Sequence, residues 1–199
     1  MPSAAEILEF ADDEPPSGES PWVVPQTRDP IVVAEPDPEW PRRFDELAAR
    51  IRTALGGRVL ALEHVGSTSV PELPAKPVID ADLIVADPGD EAGWLPALEG
   101  AGFVLTVREP WWHEHRLVKH ANPVANVHVF SPDSPEPWKH RIFRDHLRRD
   151  DVDRERYAEV KRAASRIATA GAETVMEYNA RKQACIRDIY ARAFAAAGY

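Results

Sequence analysis

The sequence predicts an α/β fold: a small mixed sheet bearing an acidic strand, with helices packed on it and a C-terminal helical layer. Three observations lead there. Short apolar runs of strand character alternate with segments of helical spacing between residues 30 and 130. One of those runs, residues 78–85 (VIDADLIV), is apolar except for Asp80 and Asp82. From Trp138 onward only helical spacing remains.

In chain order, residues 1–29 hold seven acids against Arg28, together with Pro15, Pro16, Pro21 and Pro25. Such composition predicts a mobile leader, or a strap on the domain docked through Trp22, Val23 and Val24, with a turn or two of helix over residues 4–10. Residues 30–199 form the folded domain, opening with a short strand over residues 30–34. Asp37 or Pro38 starts a helix whose core face is Trp40, Phe44, Leu47, Ala48, Ile51 and Leu55. Gly56 ends it with a backbone conformation that glycine adopts readily. Residues 58–64 read as the first sheet strand, 78–85 as the acidic strand and 90–100 as a helix. Strands over 103–107, 116–119 and 125–130 complete the sheet, and helices over 138–149, 153–168 and 173–194 follow.

Composition bounds the function. The net charge is −9, of which the leader carries −6, so the remaining 170 residues are nearly neutral. Broad nucleic-acid binding needs a basic face, which leaves small substrates as the better match. No apolar run approaches the length of a bilayer span and no signal peptide is evident, so a cytoplasmic location without membrane attachment is expected. The lone cysteine, Cys185, rules out an internal disulfide and lies in a helical apolar pattern that predicts burial.

Candidate chemistry gathers between His64 and Val85. Side chains two apart on a strand share a face, so Asp80 and Asp82 converge. Buried together they repel unless a cation lies between them, and Mg²⁺, or Mn²⁺ in its place, is the hard ion suited to that role. Gly66-Ser67-Thr68 ends the preceding strand, with glycine allowing close backbone approach and two hydroxyls as donors. Lys76 has the reach of a phosphate-binding cation. His64 suits a phosphate contact or a structural hydrogen bond equally. Farther on, His113 and His115 would share one face of an extended strand and, with His120 and His128, invite a metal reading. The spacing matches no helical zinc motif, and a histidine stripe on a half-exposed sheet is the more ordinary reading. Trp111 and Trp112 suit packing better than base stacking. Between Lys139 and Arg162, nine basic residues face six acids, the one net basic region.

The segment HVGSTSV…AKPVIDADLIV resembles the GrpB family of predicted nucleotidyltransferases, within the polymerase-beta-like superfamily. PDPEWPRRFDEL before it, and NVHVF, IFRDHL, YAEVKR and YNARKQACIRDI after it, extend the resemblance over residues 30–190. It implies a nucleotidyltransferase-like fold and a metal-dependent transfer of a nucleotidyl group from a nucleoside triphosphate to a small-molecule acceptor that no motif identifies. On that resemblance Asp80 and Asp82 bind the metal, Gly66, Ser67 and Thr68 hold phosphates, and Lys76, Arg144 and Lys182 offset charge. Tyr178, four residues before Lys182, would lie over the base. Many transferases of this superfamily place a third carboxylate where this chain, like the GrpB family, has His128; that histidine is the substitute metal ligand or general base. Two rival readings remain: a non-catalytic nucleotide or phosphometabolite-binding module, and a different enzyme of specialised metabolism that reuses the pocket, marked by a transition metal on His113, His115 or His128.

Overall fold

The structure, a computed structural model, describes residues 1–10, 15–25 and 30–199. Asp12, Asp13, Glu14, Arg28 and Asp29 of the acidic leader lie outside the described residues. Eleven elements organise the rest: α1 (Ala4–Leu8), α2 (Trp40–Leu55), β1 (Ala61–Val65), β2 (Ile79–Ile84), α3 (Glu91–Gly100), β3 (Phe103–Glu109), β4 (His115–Ala121), β5 (Val124–Phe130), α4 (Glu136–Arg149), α5 (Asp151–Ala170) and α6 (Val175–Ala197). The five strands form one sheet in the order β1-β2-β5-β4-β3. Only β2 and β5 pair in parallel; the other three pairings are antiparallel. This is the mixed sheet with a C-terminal helical layer that the pattern predicts.

Alternation along β2 divides the two faces of the sheet. Ile79, Ala81 and Leu83 join Val127, Val129 and Val118 against Trp40, Leu47, Ile51 and Leu55 of α2 and Trp94 and Leu98 of α3, forming the main core. Asp80 and Asp82 face the other way, with Asn126 opposite Asp80 and His128 opposite Asp82. Here α4, α5 and α6 pack on the β1–β2 connection through Val70, Leu73, Leu147, Tyr157, Cys185 and Ile189. The helical layer therefore closes over the polar face of the sheet.

Several details differ from the pattern reading. Residues 30–34 form no strand; Ala34 makes an isolated bridge to Ala75, because the segment lies beside the β1–β2 connection and not beside a sheet edge. His113 and His115 do not share a strand face: His113 and Glu114 both take φ of 52° in the turn before β4, and only His115 enters the strand. The leader docks through two contacts. Ile7, 2% exposed, packs with Phe10 against Tyr190 and Phe194. Trp22 bridges Val107, with Val23 donating to the Thr106 carbonyl and Arg108 to that of Pro21, which covers part of the β3 edge. Val23 and Val24 remain exposed.

Candidate functional site

At the end of β1, Gly66 takes φ 64° and ψ −170°, a conformation that L side chains rarely adopt. Its missing side chain matters as much as its backbone. A Cβ built there would stand 2.5 Å from Asp80 Oδ2, so the Asp80 carboxylate rests directly on the glycine backbone. The chain then makes one turn of 3₁₀ helix, Ser67–Ser69. Ser69 Oγ donates to the Gly66 carbonyl at 2.6 Å and locks the turn.

The two aspartates have different partners. Asp80 Oδ1 accepts from Asn126 Nδ2 at 3.0 Å, while Oδ2 makes no hydrogen bond among the described residues. Burial pushes the Asp80 carboxyl up, against the opposing pull of Asn126 and Lys76. Asp82 is fully buried and meets His140 Nδ1 at 3.1 and 2.9 Å through its two oxygens. Burial alone would lower His140, but the Asp82 carboxylate outweighs it and raises the imidazole to about 9, so His140 is a cation at neutral pH.

Beside this pair runs a line of imidazoles. Glu109 Oε2 lies 2.6 Å from His115 Nδ1, and His115 Nε2 lies 3.0 Å from His128 Nδ1. Burial, with His115 and His140 nearby, holds His128 well below the ordinary histidine range and therefore neutral. A carboxylate only accepts, so His115 carries hydrogen on Nδ1. Where His115 Nε2 accepts from His128 Nδ1, His128 Nε2 is left with a free lone pair. The histidine metal reading loses its geometry here, since His115 and His128 bind one another. His120 lies apart, on Phe103 and the Pro123 carbonyl.

On the helical side, three lysines lie within electrostatic reach of Asp80. Lys182 Nζ lies 4.1 Å and Lys76 Nζ 5.6 Å from the Tyr178 ring centroid, and Lys161 Nζ lies 5.1 Å from that of Tyr157. Burial, reinforced by Lys76, lowers Lys182 to about 7; Lys76 is lowered by burial as well. Burial and then Lys182 push Lys161 far down.

Three residues expected to touch substrate have other work. Tyr178 is 1% exposed with its ring against Lys182 and Lys76, so it presents no surface to a base. Arg144 Nη1 is engaged by Glu63 at 3.1 Å and the His64 carbonyl at 2.8 Å, and its Nε by Asp145, so it ties α4 to β1. Thr68 is buried, its Oγ1 donating to the Val78 carbonyl and lying 3.1 Å from His64 Nε2. His64 stacks on Phe44 and is held neutral, near 4, by burial and by Arg148 and Arg144, which makes it a structural residue.

His140, Lys161, Tyr157, Asn126 and Glu109 are the site residues that pattern reading did not single out. Lys161 carried a signal: it sits on the buried stripe of α5 with Tyr157, Ala158, Ala164, Ser165 and Ala168. His140 carried none. Among the described residues the one cluster of three metal-type ligands is elsewhere, His146, Asp150 and Asp153, where Asp153 is already engaged by His146 and Arg192.

A family model described as GrpB protein matches residues 30–192. A UPF0157 protein of Halalkalibacterium halodurans is 45% identical over 163 residues, covering 82% of each chain. A dephospho-CoA kinase of Mycolicibacterium paratuberculosis is 31% identical over 194 residues, covering 84% of this chain but 47% of that protein. The crystal structure of conserved protein GrpB from Enterococcus faecalis superposes with a TM-score of 0.72 at 27% identity, covering 84% of this chain and 100% of that one.

Proposed function

This chain belongs to the GrpB family, and from that premise we propose that it is a metal-dependent nucleotidyltransferase-like enzyme of the polymerase-beta-like superfamily, taking a nucleoside triphosphate and a small-molecule acceptor. The observation that carries the reading is the Asp80 carboxylate on the Gly66 backbone, with Asp82 on the same face of β2. A half-buried carboxylate raised by desolvation, with Oδ2 unbonded among the described residues, is a favourable ligand for a hard cation. Asp80 and Asp82 would hold Mg²⁺ or Mn²⁺, which supplies charge neutralisation to the triphosphate and the departing pyrophosphate.

The chain's own groups do the rest. The Gly66 and Ser67 backbone approaches the β- and γ-phosphates, with Thr68 fixing the turn beneath them. Lys76 and Lys182 counter the charge that develops on the leaving group. Arg144 and Tyr178 position β1 and Lys182. The acceptor hydroxyl or amine gives its proton to His128 Nε2 as its heteroatom bonds to the α-phosphorus. The bond from that phosphorus to the bridging β-phosphate oxygen breaks, and its electron pair leaves with pyrophosphate. His128 then carries the acceptor proton, with His115 and Glu109 behind it.

The dephospho-CoA kinase name belongs to a protein of which less than half matches this chain, so it does not set the reaction here. One observation favours the non-catalytic reading: Asp82 already holds an internal cation, His140. Pyrophosphate release separates the two. Each nucleoside triphosphate is incubated with Mg²⁺, the protein and a deproteinised small-molecule extract. Release by the wild type and not by Asp80→Asn supports the transferase; nucleotide binding without release in any combination supports the binding module.

A further inference from the structure

The polar face holds more amines than its own carboxylates can pair. Asp82 is matched by His140, which leaves Asp80 facing Lys76, Lys161 and Lys182. Lys161 is 2% exposed and Lys182 7%, both in helices whose surrounding stripe is apolar. Among the described residues Lys161 Nζ is buried with no hydrogen-bond partner, and so is the Tyr178 hydroxyl, on the ring that Lys182 covers. Buried polar groups are almost always paired, and an ammonium group left alone in the interior is among the most costly exceptions. Replacing such lysines with apolar residues would favour the fold, so their retention points to a ligand that completes them.

We propose that Lys161, Lys182 and Lys76, arranged around Asp80 beneath the Gly66–Ser67 turn, form a subsite that takes a phosphoryl dianion without the help of a metal ion. The charge count selects the ligand. Burial withdraws protons from Lys161 and Lys182 in the empty site, and a bound anion restores them; three ammonium groups against the Asp80 carboxylate then leave two positive charges, which a dianion cancels and a simple carboxylate does not. The donor count agrees, because a phosphoryl group offers three outward oxygens to several N–H donors that no single planar acceptor satisfies. Tyr157, whose ring lies under Lys161, packs with Val70 and Leu73 of the segment that follows the turn, so the helical floor of the subsite is tied to that connection. The inference deepens the reading of this cleft as a phosphate site, but it stands on the lysines and not on the Asp80–Asp82 pair.

The test is titration calorimetry in EDTA with three probes: inorganic phosphate, tripolyphosphate and a nucleoside monophosphate. The wild type is expected to bind at least one of them with metal removed. Lys161→Met and Lys182→Met are each expected to weaken that binding tenfold or more, while Asp80→Asn retains or strengthens it by removing a negative charge. Preference for tripolyphosphate identifies the subsite with a triphosphate tail; preference for the monophosphate identifies it with a phosphorylated metabolite. Lys182→Met and Lys161→Met lie on different helices, so either one, if folded, decides the outcome. No binding of any probe in EDTA, or wild-type binding in the lysine variants, overturns the proposal. Loss of binding in Asp80→Asn alone would remove the lysine subsite and leave the metal reading intact.

Discussion

Asp82, fully buried, and the half-buried His140 form an ion pair that joins the acidic strand to the helix above it, with His140 Nδ1 at 2.9 Å from one carboxylate oxygen and 3.1 Å from the other. It links the sheet's chemistry to the placement of the C-terminal layer, and it gives the fold a measurable dependence on pH.

His140 is raised to about 9 in the folded protein. A histidine raised on folding contributes stability that is fully present below its unfolded value and is lost as pH rises through the folded one. The shift corresponds to about 3 kcal/mol. His140→Gln should therefore destabilise strongly at pH 6, by roughly 3 kcal/mol, with the difference from wild type shrinking as pH rises above 6.5 and mostly gone near pH 9. Urea unfolding at pH 6 and pH 9.5 measures it; an equal loss at both values contradicts the pair's assignment.

Gly66→Ala meets two obstacles at once, a positive φ and a Cβ 2.5 Å from Asp80 Oδ2. A cost of about 1–3 kcal/mol is expected for the strained backbone alone. Gly57→Ala, with nothing within 4 Å of the new carbon, should stay within about 0.5 kcal/mol of wild type. Comparing the two denaturation midpoints separates the Asp80 contact from a general glycine effect.

Lys182 has the opposite sign from His140. Its folded value, about 7, is depressed from 10.5, so its burial costs stability in full below pH 7 and progressively less up to the unfolded value. Lys182→Met should raise the thermal midpoint, reflecting a stability gain on the order of a few kcal/mol at pH 6.5 and much less at pH 10. A variant less stable than wild type at pH 6.5 would show that Lys182 is satisfied within the fold.

The Glu109–His115–His128 line fixes a tautomer. Long-range ¹⁵N–¹H spectra should place the His128 proton on Nδ1 in the wild type and show a mixed population in Glu109→Ala, where nothing holds the His115 proton on Nδ1. A His128 proton on Nε2 in the wild type would remove it as the base.

The sheet and its two faces were legible because strand alternation is local: VIDADLIV states both which face is core and which residues oppose it. The Gly66 turn was legible for the same reason, since glycine after a strand marks a close backbone approach. The pairing of Asp82 with His140 was not, because the two are 58 residues apart and a single histidine on a helix has no pattern. Lys161 stood between these cases: a lysine on a buried stripe is visible, but only the fold places it beside Lys182 and Asp80. Tyr178 and Arg144 were identified by motif and given the wrong contacts, because a motif does not show which way a side chain on a packed helix faces.

The most direct test of the central claim is the thermal midpoint of the wild type and Asp80→Asn with each nucleoside triphosphate, in Mg²⁺ and in EDTA. A ligand bound only by the native state raises the midpoint by mass action. The account predicts a rise with at least one triphosphate that is larger in Mg²⁺ than in EDTA, with the Mg²⁺-dependent part lost in Asp80→Asn. An identical rise in the variant, or none with any triphosphate in Mg²⁺, would contradict it.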